Sequence, residues 1–406
     1  MRPLHVLLLN QYFPPDTAAT ATYGAAIAKV LAERHRVTVL AGRPSYDPLK
    51  RHAPCLFTRE RESNLVIERV GSTAFPRQRM KGRLSNYLSY LGLAGPRAVS
   101  LNVDVVLAMS DPPVEGIFGA AVAKFLGRPF VYNIRDLYPD MALAANILHR
   151  GFWTDVWEQW HRRALRQADL VIVLGEDMRQ RLAAKGIDPA QITVIRDAVS
   201  FPEAIPRAEE NIVREIRGPF RFVLVHAGNL GFSGSWLTLV RAAQILEAQN
   251  VGLVFIGDGS MKEQVRQFAR NCANVRFLPF RPASDLPAIM AAGDLQVVTI
   301  RRGLEGMVVP SKMYNILAYG RPILAVASEK ADVSRLALQH GFGMVADPDD
   351  STHVAESIRS VLSTPERLHD MSRATRALAK ILDQSHELGK FVDAIEEVAD
   401  RQRFRE

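Results

Sequence analysis

The sequence is short of cysteine, with only Cys55 and Cys272 in 406 residues. That excludes a disulfide framework and a cysteine-built metal site, and it points to a reducing compartment. Long apolar runs are also missing. No stretch approaches the roughly 20 residues needed to cross a bilayer, and the apolar run at residues 6–9 is too short for a secretory leader. These absences predict a cytoplasmic protein, peripheral at most on the inner face of the plasma membrane. The first strand candidate is not followed by Gly-x-Gly-x-x-Gly, which argues against a nicotinamide enzyme, and no Lys-Ser/Thr completes a phosphate-binding P-loop. Internal repeats, metal-ligand spacings and recognised nucleic-acid-binding modules are absent too, so no metal, cofactor or nucleic acid is expected.

Acidic residues are in deficit: Lys plus Arg number 51 against 43 Asp plus Glu, a net charge of +8. Such a surplus favours an anionic partner such as a phosphate, a nucleotide or an acidic lipid. Hydrophobic residues at 48% and charged residues at 23% are ordinary for a globular chain, and the length suits two or three domains of roughly 100–200 residues each. Short apolar runs alternate with amphipathic segments, the signature of α/β architecture with parallel sheets. In the first half the runs fall at residues 5–9, 36–40, 65–70, 105–109, 130–134, 170–174 and 192–195. Helical periodicity marks 23–33, 84–93, 114–126, 155–166 and 177–185. Residues 201–218 are polar, contain two prolines and show no strand period, so they read as a linker. A second series follows, with strands at 222–226, 251–256, 275–278, 295–299, 323–326 and 343–345. The expected fold is two doubly wound, Rossmann-like domains, residues 1–200 and 219–385, facing across a cleft where ligands sit outside the carboxyl ends of the strands. Residues 386–406 form a last helix, with Leu388, Phe391, Val392, Ile395 and Val398 at helical spacing.

In the second half, His226-Ala-Gly-Asn-Leu-Gly-Phe-Ser-Gly-Ser-Trp236 joins a strand to a helix. Gly228 and Gly231, with Asn229 between them, permit close backbone approach, and the free N–H groups of the helix favour a phosphate. Phe255-Ile-Gly-Asp-Gly259 repeats the logic at the next strand end: Gly257 turns the chain, and Asp258 either caps or reaches a ligand hydroxyl. Leu278-Pro-Phe-Arg-Pro282 places Arg281 on a third strand end, a position from which a loop can hold a flat base. Pro310-Ser-Lys312 opens a helix whose start turns Ser311 and Lys312 toward the glycine loops, with Lys312 neutralising a diphosphate, and Gly320-Arg-Pro322 ends that helix. Each piece alone also fits an ordinary βα turn or a solvated helix face. Four successive strand ends converging on one cleft favour a ligand.

With Asn10-Gln-Tyr-Phe-Pro-Pro15 and Ile134-Arg-Asp-Leu-Tyr-Pro-Asp140, these segments resemble the two-Rossmann-domain (GT-B) glycosyltransferases over nearly the whole chain, specifically glycosyltransferase family 4 of the WbuB-like, cell-surface-polysaccharide type. The resemblance implies retaining transfer of a sugar from a nucleotide-diphosphate sugar to a lipid-linked or saccharide acceptor, without an obligatory metal. It also implies that the last helix crosses back onto the first domain and that Asp136 faces the transferred sugar. One departure stands out, because the family's pair of glutamates spaced by seven residues is not intact. Asn315 stands five residues before Gly320 where the second glutamate belongs, Met307 lies eight before that, and Glu305 is the nearest acid. The Asn315 amide can bond a ribose hydroxyl but brings no charge, and Glu305 either contacts the donor sugar or braces its own loop.

The first domain is then the acceptor side, with Asp16 and Thr17 in the loop after the first strand. Residues 70–103 contain no acid but carry Arg77, Arg79, Lys81, Arg83 and Arg97, with Leu84, Tyr87 and Leu88 among the apolar bulk. That composition fits an anionic membrane surface and, equally, a helix packed on the core with solvated cations. Asp136, Glu305 and Lys312 are the catalytic candidates. With no evident enzymic nucleophile, catalysis rests on stabilising phosphate charge and on positioning, so Lys312 carries more of the chemistry than either acid. His5, His35 and His226, in or beside strands, read as buried and satisfied. The leading expectation is a retaining glycosyltransferase that moves a hexose or N-acetylhexosamine from a UDP-linked donor in cell-surface polysaccharide synthesis. The alternatives are a nucleotide-sugar epimerase on the same fold and a non-catalytic nucleotide-sugar-binding protein, the latter raised by the broken glutamate pair.

Overall fold

A computed structural model describes residues 2–45, 56–75, 80–199 and 205–403. These fall into two compact units, Met1–Arg196 with His386–Glu406, and Asp197–Ser385.

The first unit is built on β1 (His5–Leu9), β2 (Arg36–Gly42), β3 (Phe57–Glu62), β4 (Leu65–Val70), β5 (Val105–Ala108), β6 (Phe130–Ile134), β7 (Leu170–Val173) and β8 (Ile192–Val194). Their order is β3-β4-β2-β1-β5-β6-β7-β8. All pair in parallel except β3, which runs antiparallel to β4. The parallel strands are continuous apolar runs because helices cover both faces, so neither side needs polar residues. Strand β3 is the one the sequence pattern misses. Its residues, Phe-Thr-Arg-Glu-Arg-Glu, are all exposed, and such charges blunt the free edge of a sheet instead of feeding a core. The helix Gln384–Arg403 contributes Leu388, Phe391, Val392, Ile395 and Val398 to the same core as β1, β2 and β5. It is pinned there by Glu387 accepting the Arg196 N–H at 2.9 Å and by Glu396 lying 3.2 Å from His35.

The second unit holds β9 (Phe222–Ala227), β10 (Val251–Ile256), β11 (Val275–Leu278), β12 (Leu295–Thr299), β13 (Ile323–Val326) and β14 (Gly343–Ala346). They are parallel throughout, in the order β11-β10-β9-β12-β13-β14. The expected linker needs correction. Residues Glu210–Arg217 form a helix that belongs to this unit, with Ile216 buried and the Arg217 guanidinium bonded to the Ala292 carbonyl and to Asp294. Its apolar positions follow a helical period, so the absence of a strand period there signified a helix and not a loose connection. Residues 201–204 of that segment lie outside the described part.

Candidate active site

In a parallel α/β sheet the crevice opens where successive connections leave in opposite directions, beyond the carboxyl ends of the two central strands. In the second unit those strands are β9 and β12, and the chain places its glycine loops there. The loop after β9 is knitted to the loop after β10: the Gly228 N–H donates to the Ile256 carbonyl at 2.8 Å, and the Leu230 N–H to the Asp258 carbonyl at 2.8 Å. Glycine at 257 is compulsory. Its φ is +131°, and a Cβ there would stand 2.3 Å from the Gly228 carbonyl oxygen, well inside contact distance. The Trp236 indole N–H donates to the Gly231 carbonyl at 2.6 Å and fixes the far end of the first loop.

Lys312 closes this cradle. It is the first residue of the helix Lys312–Ala318, preceded by Pro310 and by Ser311 at the N-cap, whose exposed side chain makes no capping bond. The Lys312 Nζ lies 3.2 Å from where a Gly228 Cβ would be and 2.9 Å from His226 Nε2. His226 is buried on β9, and its Nδ1 lies 3.2 Å from the Val297 carbonyl of β12. Since a carbonyl only accepts, the tautomer with its proton on Nδ1 is the one that bonds Val297 and leaves Nε2 to accept from the lysine. Burial and the nearby Lys312 charge push the His226 pKa well down. Burial alone brings Lys312 down to about 7. Among the described residues no carboxylate pairs with this amine, so an arriving anion meets no competing acid there. The sequence reading of His226 as a buried histidine holds, but its role as the partner that orients Lys312 went unread. Its position directly before the glycine loop was the available signal.

The other donor-side candidates divide. Gly228 and Asn229 are exposed at the mouth of the cradle, while Gly231 and Gly257 form its buried floor. Asp258 is exposed, and its carboxylate accepts the Gly259 N–H at 2.8 Å, so it shapes its own turn. Asn315 lies half-buried one turn beyond Lys312. The Arg281 guanidinium is engaged by Glu215 and by Asp285 at 3.2 Å, which ties the turn after β11 to the helix Glu210–Arg217. Glu305 accepts the Gly303 N–H at 2.7 Å, which supports loop bracing over sugar contact.

In the first unit the equivalent crevice lies beyond β1 and β5. Asp16 is buried and accepts the Ser45 N–H at 2.9 Å, while Thr17 is exposed. Asp111, which the sequence reading passed over, accepts the Thr20 hydroxyl at 3.0 Å, and the Gln11 N–H donates to its carbonyl at 3.0 Å. Asp136 follows β6, half-buried, with its N–H 3.4 Å from the Ser110 hydroxyl. The Tyr138 hydroxyl pKa is raised by burial, then by the charges of Asp136 and Asp111, so these carboxylates share one region of the crevice. On the helix Met80–Val99 Lys81 is exposed, but Arg83 is half-buried and donates to the Tyr87 hydroxyl at 3.3 Å, so it is no free surface cation. Arg77 and Arg79 lie outside the described residues. Among the described residues no three His, Cys, Asp or Glu side chains gather to hold a metal.

Two Rossmann-like units, each with a crevice at its strand reversal, are the architecture of the GT-B fold. Sequence comparison agrees, matching residues 19–198 to the glycosyl transferase 4-like domain and residues 218–378 to glycosyl transferases group 1. The chain belongs to the GT-B glycosyltransferases of family 4. It is 27% identical over 302 residues to a probable glycosyltransferase, WbjE, of Pseudomonas aeruginosa, covering 71% of this chain and 74% of that one. A putative colanic acid biosynthesis glycosyl transferase, WcaI, of Escherichia coli is 23% identical over 284 residues, covering 68% and 69%. Among solved structures, Anabaena HepE in complex with UDP superposes with a TM-score of 0.69 at 18% identity, covering 98% of this chain and 100% of that one. Its complex with UDP-glucose gives 0.68 at 18%, covering 97% and 100%.

Proposed function

We propose that this glycosyltransferase moves a hexose or N-acetylhexosamine from a uridine-diphosphate donor, with retention, to a lipid-linked or saccharide acceptor in cell-surface polysaccharide synthesis at the cytoplasmic face of the membrane. The observation that carries the donor assignment is the Lys312 amine, desolvated beside Gly228 with no carboxylate against it among the described residues. The close backbone approach at the glycine turns and this amine suit a diphosphate, whose charge offsets the cost of burying the cation. The HepE complexes with UDP and UDP-glucose support uridine and a hexose, and the role named for WcaI supports polysaccharide assembly.

Bond cleavage leaves the diphosphate with extra negative charge, and Lys312 stabilises that charge as it develops. Asp136 and Asp111, in the crevice of the first unit, are assigned to receiving the acceptor. Retention proceeds without a covalent sugar-enzyme intermediate, through positioning of donor and acceptor on one face of the anomeric carbon. Calorimetric titration with UDP-glucose and UDP-N-acetylglucosamine tests the donor half: wild type binds one of them and Lys312→Ala loses most of that affinity. Equal affinity in the variant sinks the assignment. Proton NMR of the product's anomeric signal tests retention, and conversion of the donor in the absence of any acceptor would identify an epimerase instead.

A further inference from the structure

Of the chain's four tryptophans, Trp236 lies in the glycine cradle and Trp157 stacks on Tyr138. The other two are on the surface of the first unit: Trp153 is 80% exposed and Trp160 54%, both on the helix Phe152–Gln167, with Phe152 71% exposed beside Trp153 in an edge-to-face contact of 5.2 Å. Trp153, Val156, Trp160 and Arg163 recur at intervals of three and four, so they share one face of the helix. The neighbouring face, carrying Thr154, His161 and Leu165, is buried against the unit. Ordinary surface helices do not spend two indoles and a phenyl ring on water.

Charge decides what covers this face. Along residues 149–166, Arg150, Arg163 and Arg166 are exposed and make no ion pair among the described residues. Asp155 is the only exposed acid of the stretch, since Glu158 is partly covered and bonded to Arg162 and Lys185. Indoles with guanidinium groups beside them are the composition of a helix lying in the interfacial layer of an anionic bilayer, where the ring is half apolar and its N–H stays wet. The topology places the aromatic end well. Because β6 and β7 are parallel and the helix carries the chain back between them, Phe152 and Trp153 sit at the carboxyl-end side of the sheet, the side that holds Asp136. Among the described residues no helix is long and apolar enough to cross a membrane.

We propose that the Trp153–Trp160 face of this helix is the surface by which the protein docks on an anionic phospholipid bilayer, presenting its acceptor crevice to the lipid layer. The proposal deepens the function given above and rests on it for the lipid-linked acceptor alone. The helix Met80–Val99 adds exposed Leu84 and Leu88 with Lys81 on the same unit, yet the aromatic face is the principal contact.

The test is co-sedimentation of the full chain with vesicles of phosphatidylglycerol and phosphatidylethanolamine, against vesicles of phosphatidylcholine. The expected result is partitioning to the anionic vesicles, a blue shift of tryptophan emission, and quenching by brominated acyl chains. The Trp153→Gln/Trp160→Gln variant should weaken partitioning by at least about tenfold, and Arg150→Gln/Arg163→Gln/Arg166→Gln should weaken it in a salt-dependent manner. UDP-glucose titration of the same variants, with circular dichroism for folding, reads the donor site separately, so a failed vesicle assay and a failed donor assignment are distinguishable. Wild type left in the supernatant with anionic vesicles overturns the proposal. So does unchanged partitioning in the folded double-tryptophan variant, and so does a dimer in sedimentation velocity that this variant dissolves, which would make a second copy the occupant.

Discussion

Donor binding should take up protons, and the extent follows from Lys312. The free amine is pushed down to about 7 by burial, from a usual 10.5. A diphosphate at hydrogen-bond distance restores the charged form, so the pKa rises on binding. For a group whose pKa rises on binding, affinity is complete below the free-state pKa and is lost as pH climbs above it. At pH 7 about half the free amine is neutral, and about nine-tenths at pH 8, which sets the uptake at about 0.5 and about 0.9 proton per donor bound. The affinity for a nucleotide-diphosphate sugar, which has no phosphate titrating in this range, should therefore fall about tenfold between pH 6 and pH 8. Isothermal calorimetry of UDP-glucose binding in buffers of different ionisation enthalpy measures the uptake as a slope. Lys312→Gln, which carries no titrating amine, should remove the slope together with most of the affinity. A slope of zero in wild type at both pH 7 and pH 8 refutes the reasoning, because it would mean that the amine is fully charged before the ligand arrives.

The same burial makes Lys312 costly to the empty protein. Lys312→Met should raise the thermal midpoint of the unliganded chain by a few degrees while abolishing donor binding, and wild-type stability should rise with pH from 7 toward 10, as the unfolded chain binds the proton the folded one has lost. Gly257→Ala forces a Cβ to 2.3 Å from the Gly228 carbonyl at a φ of +131°, so a loss of more than about 1–3 kcal/mol by denaturant titration is expected, with donor affinity falling in the fraction that remains folded. Glu115 is fully buried, bonded to the Tyr90 hydroxyl at 2.8 Å, and raised well above the carboxylate range, chiefly by burial. Burial disfavours its charged form, so the neutral Glu115→Gln should change stability by less than about 1 kcal/mol, whereas Glu115→Ala removes the bond to Tyr90, leaving that hydroxyl only the Leu40 carbonyl at 3.1 Å, and opens a cavity, and should cost about 2 kcal/mol or more in chemical denaturation.

The strands were legible because parallel strands buried on both faces are unbroken apolar runs. Residues 251–256, 275–278, 295–299 and 323–326 match observed strands end to end. Strand β3 and the helix Glu210–Arg217 escaped because both are largely charged: the first lies on a free sheet edge, and the apolar period of the second is only Ile212, Val213 and Ile216 in a polar segment. At the site, glycines and Pro310-Ser-Lys312 could be read because backbone conformation and helix starts are local properties. What Arg281, Arg83 and Glu305 do depends on Glu215, Tyr87 and the Gly303 N–H, and for the first of these the partner is 66 residues away in the chain. The link between His226 and Lys312 spans 86 residues, and only the placing of β9 beside β12 brings it about. The two exposed tryptophans were hidden in the sequence for a related reason, since the helix period shows that a face exists but not which face the sheet claims.

The most direct test of the central claim, that the glycine cradle and Lys312 hold a uridine-diphosphate sugar, is a thermal-shift screen of nucleotide-diphosphate sugars on wild type and Lys312→Ala. A ligand that binds only the folded state stabilises it by mass action, about 2.7 kcal/mol at a hundredfold excess over its Kd. The account predicts that one or more UDP-sugars raise the midpoint of wild type, that the corresponding GDP- and ADP-sugars do so less, and that the shift collapses in Lys312→Ala. A wild-type protein indifferent to every nucleotide sugar, or a variant that responds as wild type does, contradicts it.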